Sequence, residues 1–115
     1  MSLKIYHNPR CSKSRQTMAL IEAADAEVET VLYLQEPLSA ADIKDLLGKL
    51  GFSSARELMR KGEAIYKELN LKAEEDETAL IAAMAAHPKL IERPIVVKGQ
   101  EAILGRPPEN AKKFL

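Results

Sequence analysis

The sequence predicts an α/β fold: a mixed four-stranded sheet with a helical insertion between the second and third strands. Three observations support this: a strand–helix–strand pattern at the start, an almost wholly helical middle, and two short apolar runs around Gly99-Gln100. Two strands joined by one helix favour a right-handed crossover, so the first two strands are predicted to be parallel. The short turn predicts that the last two strands form a hairpin.

The first strand is predicted to end at Asn8-Pro9, because these residue types terminate strands. Its apolar residues are Leu3, Ile5 and Tyr6. A helix is predicted from Ser12 onward, where apolar residues recur at helical spacing. Residues 27–34 are rich in strand-forming types and predict the second strand.

The insertion is predicted over about residues 39–87. Its helical segments begin at Ser39, at Ser54, around residue 64 and at residue 76. The first has a serine N-cap and ends at Gly51. The second opens with the capping-box pair Ser54 and Glu57.

The end of the chain returns to strand at residues 94–98 and 102–104, and Pro107-Pro108 introduces a last short helix. With the middle helices set apart as an insertion, the order of elements is that of a thioredoxin-like fold in one domain, residues 1–115. In that fold a cis-proline precedes the third strand and lies against the active cysteine. We therefore predict a cis Arg93-Pro94 bond, although only about 5–6% of such bonds are cis.

The composition excludes several classes of function. Lysine plus arginine and aspartate plus glutamate number 17 each, so the net charge of zero argues against a nucleic-acid-binding protein. No apolar run approaches a membrane span, and no signal-peptide pattern opens the sequence. A single cysteine excludes an internal disulfide and predicts a reducing, cytoplasmic location. The two histidines and one cysteine are too scattered for a zinc site.

The only cysteine, Cys11, falls at the predicted start of the first helix. Unpaired N–H groups and the helix dipole stabilise an anion there, so the thiol is predicted to become a thiolate near neutral pH. The alternative is a small buried side chain without chemistry. Because position 14 is Ser14, the chain has no resolving cysteine, and any disulfide step must recruit an external thiol.

Other side chains are candidates for the same chemistry. His7 is a candidate donor to the thiolate or to a substrate oxygen, or else bonds the backbone at a strand end. Ser14 either hydrogen-bonds the thiolate or completes the first helical turn. Arginine binds tetrahedral oxyanions through a rigid set of donors, although any one arginine is more often a solvated surface residue.

The sequence resembles the glutaredoxin-dependent arsenate reductase (ArsC) family, and more closely its short bacterial branch. The matching motifs are His7-Asn8-Pro9-x-Cys11-x-x-Ser14-Arg15, Leu58-Met59-Arg60-Lys61, Glu92-Arg93-Pro94-Ile95-Val96-Val97 and Gly105-Arg106-Pro107. They occur in the family's order over essentially the whole chain. One departure is Arg10, which stands where a small residue often precedes the cysteine.

The resemblance implies a thioredoxin fold and arsenate reduction. Cys11 would be the nucleophile, with His7 and Ser14 tuning its thiol. The substrate-binding residues would be Arg60, Arg93 and Arg106, the arginine cradle, with Arg15 adding positive charge.

In that family the thiolate attacks arsenate and water leaves. Glutathione then attacks the adduct, and glutaredoxin completes the reduction to arsenite, with no bound cofactor or metal. Two alternatives remain open at this point. One is a redox regulator that binds RNA polymerase, and the other is a glutathione-linked reaction on another oxyanion or electrophile. The full arginine set favours the enzyme.

Overall fold

The computed structural model describes residues 3–115, which form two compact units. One unit combines the chain up to Glu36 with Arg93–Leu115, and the other is Pro37–Glu92. The predicted insertion, residues 39–87, lies inside the second unit.

The first unit is built on a four-stranded mixed sheet of order β2-β1-β3-β4. Its elements are β1 (Leu3–Tyr6), α1 (Ser12–Ala23), β2 (Val28–Val31), β3 (Ile95–Lys98), β4 (Glu101–Leu104) and a 3-10 helix (Pro108–Phe114). β1 and β2 are parallel, whereas β3 is antiparallel to both β1 and β4. The predicted mixed sheet is confirmed, and the arrangement is the predicted thioredoxin-like fold.

The core of this unit lies between the sheet, α1 and the C-terminal 3-10 helix. Leu3, Ile5, Ile21, Val96 and Phe114 belong to one buried cluster. Alternate β1 residues point to the same face of the sheet, which is why Leu3 and Ile5 both enter the cluster. The packing holds the start of α1 at the carboxyl end of β1.

The second unit consists of short helices. They are α2 (Ala40–Leu50), α3 (Ala64–Glu68), α4 (Glu77–Ala86) and the 3-10 helices Ala55–Leu58, Leu71–Ala73 and Pro88–Leu90. The predicted cap at Ser39 and the predicted capping box of Ser54 and Glu57 are both confirmed. Gly51 ends α2 in the left-handed conformation, with φ of 73°, as its residue type predicted.

The structure differs from the prediction in the length of β2 and in the type of some helices. β2 stops at Val31, because the chain then turns and Leu32 O accepts the N–H groups of Gln35 and Glu36, both at 2.9 Å. The segment after Ser54 and the last helix are 3-10 helices. The predicted cis Arg93-Pro94 bond is confirmed, and the Arg106–Pro107 bond, which was not predicted, is also cis.

Candidate functional site

The loop between β1 and α1 presents Cys11 at the mouth of the helix. Cys11 is the N-cap of α1, with extended backbone and no capping bond from its own side chain. The loop is fixed by Asn8, whose carbonyl accepts Cys11 N–H and whose side-chain oxygen accepts Arg10 N–H, both at 3.0 Å. Arg15 adds a bond from Nη1 to Pro9 O at 3.0 Å. The thiol is thus half-buried on a rigid turn.

Several donors converge on the sulfur of Cys11. Burial raises the pKa of the Cys11 thiol, but the Ser14 N–H, the Arg93 side chain and the Lys13 N–H hold that pKa below its ordinary value. Hydrogen bonds to the anion and a nearby cation both favour the thiolate. The arrangement therefore supplies a thiolate nucleophile at a lower pH than a free cysteine.

Arg93 and Arg106 are joined through the backbone. Arg106 Nη1 donates to Arg93 O at 3.2 Å, and Gly105 N–H donates to Pro94 O at 2.9 Å. The ends of β3 and β4 therefore bring together two arginines that are 13 positions apart, one of which lowers the pKa of Cys11. This juxtaposition fits an anion-binding surface.

Thr17 and Gly105 fix this juxtaposition; the sequence placed Gly105 in a family motif but predicted no contact between the two residues. A Cβ atom on Gly105 would lie 2.4 Å from Thr17 Oγ1 and 2.7 Å from Pro94 Cγ, so only glycine fits. Thr17 is completely buried and also donates from Oγ1 to Lys13 O at 2.9 Å. The sequence signal was only that helical spacing places Thr17 on the same face of α1 as the apolar Ile21.

His7 and Ser14 form a buried pair beneath the thiol. His7 Nδ1 lies 2.7 Å from Ser14 Oγ, and Asn8 N–H donates to the same oxygen at 3.0 Å. Burial lowers the pKa of His7, against an opposing effect of Glu22, and so favours the neutral ring. The structure therefore places His7 Nδ1 on Ser14, while the Ser14 N–H faces Cys11.

Arg60 belongs to the second unit and is paired there with carboxylates. Its Nη1 lies 2.9 Å from Glu92 Oε1, and its Nε lies 3.8 Å from Glu63 Oε1. Its N–H donates to Leu90 O at 2.7 Å, which fixes its backbone. The expected convergence of Arg60 on Cys11 stays a prediction.

Within residues 3–115, no group of three or more histidine, cysteine, aspartate or glutamate side chains is arranged to hold a metal ion. The helices of this described part of the chain are all too short or too polar to cross a membrane.

Comparison with known proteins places these features in context. The ArsC family matches residues 6–114. A relative from Escherichia coli K12, named Uncharacterized protein YfgD, is 58% identical over 98% of this chain and 96% of its own length. An arsenate reductase of Neisseria meningitidis is 46% identical over 98% of this chain and 97% of its own. The solved structure of an arsenate reductase from Vibrio cholerae is 49% identical and covers this chain fully, with 98% of its own length matched and a TM-score of 0.96.

Proposed function

Because this chain belongs to the ArsC family, we propose that it is an oxidoreductase that reduces arsenate to arsenite with Cys11 as its nucleophile. The observation that carries the proposal is the environment of the sulfur. The Ser14 N–H and the Arg93 side chain both lower the pKa of the only cysteine and so stabilise its thiolate. An anion-binding helix terminus next to a nucleophile suits attack on an oxyanion.

The first step follows from this geometry. The Cys11 thiolate attacks arsenic, an S–As bond forms, and one As–O bond breaks. The departing oxygen takes up protons and leaves as water. Arg93 opposes the repulsion between the two anions, because its guanidinium stays protonated at all working pH values.

The reduction itself requires a second thiol. Arsenate gains two electrons on becoming arsenite, and two thiols release two electrons when they join as one disulfide. The chain contains one cysteine, so the second thiol comes from another molecule. Glutathione supplies that thiol: its thiolate attacks the Cys11 sulfur, an S–S bond forms, and the S–As bond breaks with its electron pair leaving on arsenic, which is released as arsenite. Glutaredoxin then reduces the disulfide left on Cys11 by thiol–disulfide exchange.

The oxyanion is held by the arginine cradle in this proposal. A tetrahedral dianion accepts more hydrogen bonds than one guanidinium donates, so several arginines are needed. The effect of Arg93 on the pKa of Cys11 and the bond from Arg106 to the Arg93 carbonyl support two members of the set. Arg60 completes the cradle, and Arg15 adds positive charge, on the strength of the family motifs that contain them.

The proposed coupling is tested by measuring arsenite release with glutathione and glutaredoxin, and then with each omitted in turn. Sustained turnover should require both, because Cys11 has no internal partner. Arsenite formation over many turnovers with no external thiol would contradict the proposal. No turnover with the complete mixture would contradict the arsenate assignment itself.

A further inference from the structure

A cleft of about 260 Å³ lies at the carboxyl ends of β1 and β2. It is lined by residues 7–10 of the loop after β1 and by Leu32, Leu34 and Gln35 of the turn after β2. Since β1 and β2 are parallel, their carboxyl ends meet at one edge of the sheet. Ligands of open α/β sheets bind in crevices at this edge.

The cleft has an apolar wall and two uncommitted polar side chains. Pro9, Leu32 and Leu34 supply the wall, and Leu34 is 40% exposed. Arg10 and Gln35 are exposed, and their side chains make no hydrogen bond or ion pair with any of residues 3–115. They are therefore available to a ligand with a carboxylate and a peptide group.

Arg10 also places such a ligand close to the sulfur of Cys11. It immediately precedes Cys11, and consecutive Cα atoms are about 3.8 Å apart. A carboxylate on Arg10 would thus anchor a molecule whose other end reaches the sulfur. The cleft volume is just below the lower limit of about 300 Å³ that is usual for small-molecule pockets, so it suits a small ligand with one end in solvent.

From these features we infer that the cleft binds the second thiol as a small anionic peptide, glutathione, through Arg10, Gln35 and the apolar side chain of Leu34. This inference rests on the proposed function, because it is the proposed reaction that requires a second thiol. Glutathione has carboxylates that would pair with Arg10, peptide groups that would hydrogen-bond with Gln35, and an aliphatic stem that would pack against Leu34. A protein thiol such as that of glutaredoxin would instead contact a broader surface.

A test that uses no arsenate measures recognition by the cleft separately from arsenate reduction. The Cys11 thiolate attacks one sulfur of an added disulfide, a mixed disulfide forms, and the other half leaves as a thiolate. Oxidised glutathione is compared with 3,3′-dithiodipropionate, which carries the same net charge at neutral pH but has no peptide groups. Each rate is divided by the rate of free cysteine with the same disulfide. The wild-type protein should prefer oxidised glutathione by about two- to tenfold, the scale of a hydrogen bond to its peptide groups, since the two disulfides carry the same net charge.

Two substitutions should remove this preference. Gln35→Ala deletes the partner of the peptide groups, and Leu34→Asp replaces the apolar contact on the wall with a charge. Arg10→Ala deletes the cation and should instead slow the reaction with both disulfides. All three side chains are exposed, so the fold should tolerate each change. The matched control is Lys112→Ala, which removes one positive charge from an exposed position outside the cleft and should retain the wild-type preference.

Equal normalised rates in the wild-type protein would overturn the inference. A preference that survives both Gln35→Ala and Leu34→Asp would place the peptide elsewhere and would overturn it too. In the coupled assay, Arg10→Ala should raise the KM for glutathione about three- to fivefold and leave the KM for arsenate unchanged. If no arsenite forms at all, the proposed function fails, and the disulfide comparison still decides whether the cleft binds glutathione.

Discussion

His7 Nδ1 lies 2.7 Å from Ser14 Oγ, and the two side chains are buried together under the first turn of α1. The Ser14 oxygen also accepts the Asn8 N–H at 3.0 Å, so one hydroxyl group contacts both residues that follow β1. One serine thus has two roles: its side chain joins the end of β1 to α1, and its N–H stabilises the Cys11 thiolate.

The first prediction separates these two roles of Ser14. Ser14→Ala should lower the free energy of unfolding by about 1–3 kcal/mol, because buried groups of His7 and Asn8 lose their partner. The pKa of Cys11 should rise less than it does in Arg93→Ala, since alanine keeps the N–H. Urea unfolding and the pH dependence of alkylation measure the two effects.

The matched control is Ser12→Ala, which removes an exposed hydroxyl from the same helical turn and should leave both quantities nearly unchanged. A larger rise in the Cys11 pKa for Ser14→Ala than for Arg93→Ala would show that the hydroxyl dominates.

The second prediction concerns the pH dependence of Cys11. Only the thiolate reacts with iodoacetamide, so the rate rises with pH through the thiol pKa. Because the Ser14 N–H and Arg93 lower that pKa, the midpoint should lie below about 8.5, the value of a free cysteine. Arg93→Ala should move the midpoint upward, and Arg93→Lys should move it less because the charge remains. A wild-type midpoint at or above 8.5 would rule out the proposed activation.

The third prediction concerns the arginine cradle. Alanine at Arg60, Arg93 or Arg106 should each lower kcat/KM for arsenate by roughly 10- to 100-fold, because a charge-assisted hydrogen bond contributes about 1.5–3 kcal/mol. Stability should change little. Unrelated surface arginines would give nearly silent substitutions at all three sites.

Arg56 is a useful contrast to the cradle. Its guanidinium donates to Tyr66 Oη at 2.6 Å and to Leu71 O at 2.9 Å, so its role is to hold the second unit together. Arg56→Ala should lower the melting temperature while the kcat/KM for arsenate of the folded protein stays the same. If Arg56→Ala lowered kcat/KM as much as the cradle variants do, the effect of the cradle variants would reflect stability alone.

The fourth prediction concerns the contact that supports Arg106. Gly105→Ala should destabilise the protein by about 1–3 kcal/mol, because the new methyl group would overlap Thr17 Oγ1 and Pro94 Cγ. Gly48→Ala in α2 is the control: nothing lies within 4 Å of its added Cβ, and alanine favours a helix by up to about 1 kcal/mol. Thermal unfolding of both variants measures the difference. Equal stability of the two variants would contradict the close packing at Gly105.

Local chemistry explains which features the sequence could predict. Ser39, Ser54 and Gly51 carry strong capping preferences, and each occupies its predicted position. The N-cap position of Cys11 follows in the same way from the turn at Asn8-Pro9. These features depend on residues only a few positions apart.

Features set by packing could not be predicted. Thr17 and Gly105 are 88 positions apart, and nothing in either local sequence indicates their contact. The choice between α and 3-10 geometry in the Ala55–Leu58 segment depends on a few hydrogen bonds that residue types do not specify. The two roles of Ser14 likewise became visible only when His7 was placed beneath it.

Cys11→Ser shows whether the reaction depends on the Cys11 thiolate. Serine is an effective N-cap, so the variant should retain the fold and the urea midpoint of the wild-type protein. With arsenate, glutathione and glutaredoxin present, the wild-type protein should release arsenite continuously, and Cys11→Ser should release none above the background without protein. Arsenite release by folded Cys11→Ser at the wild-type rate would contradict the account, because the Cys11 thiolate would then not be the nucleophile.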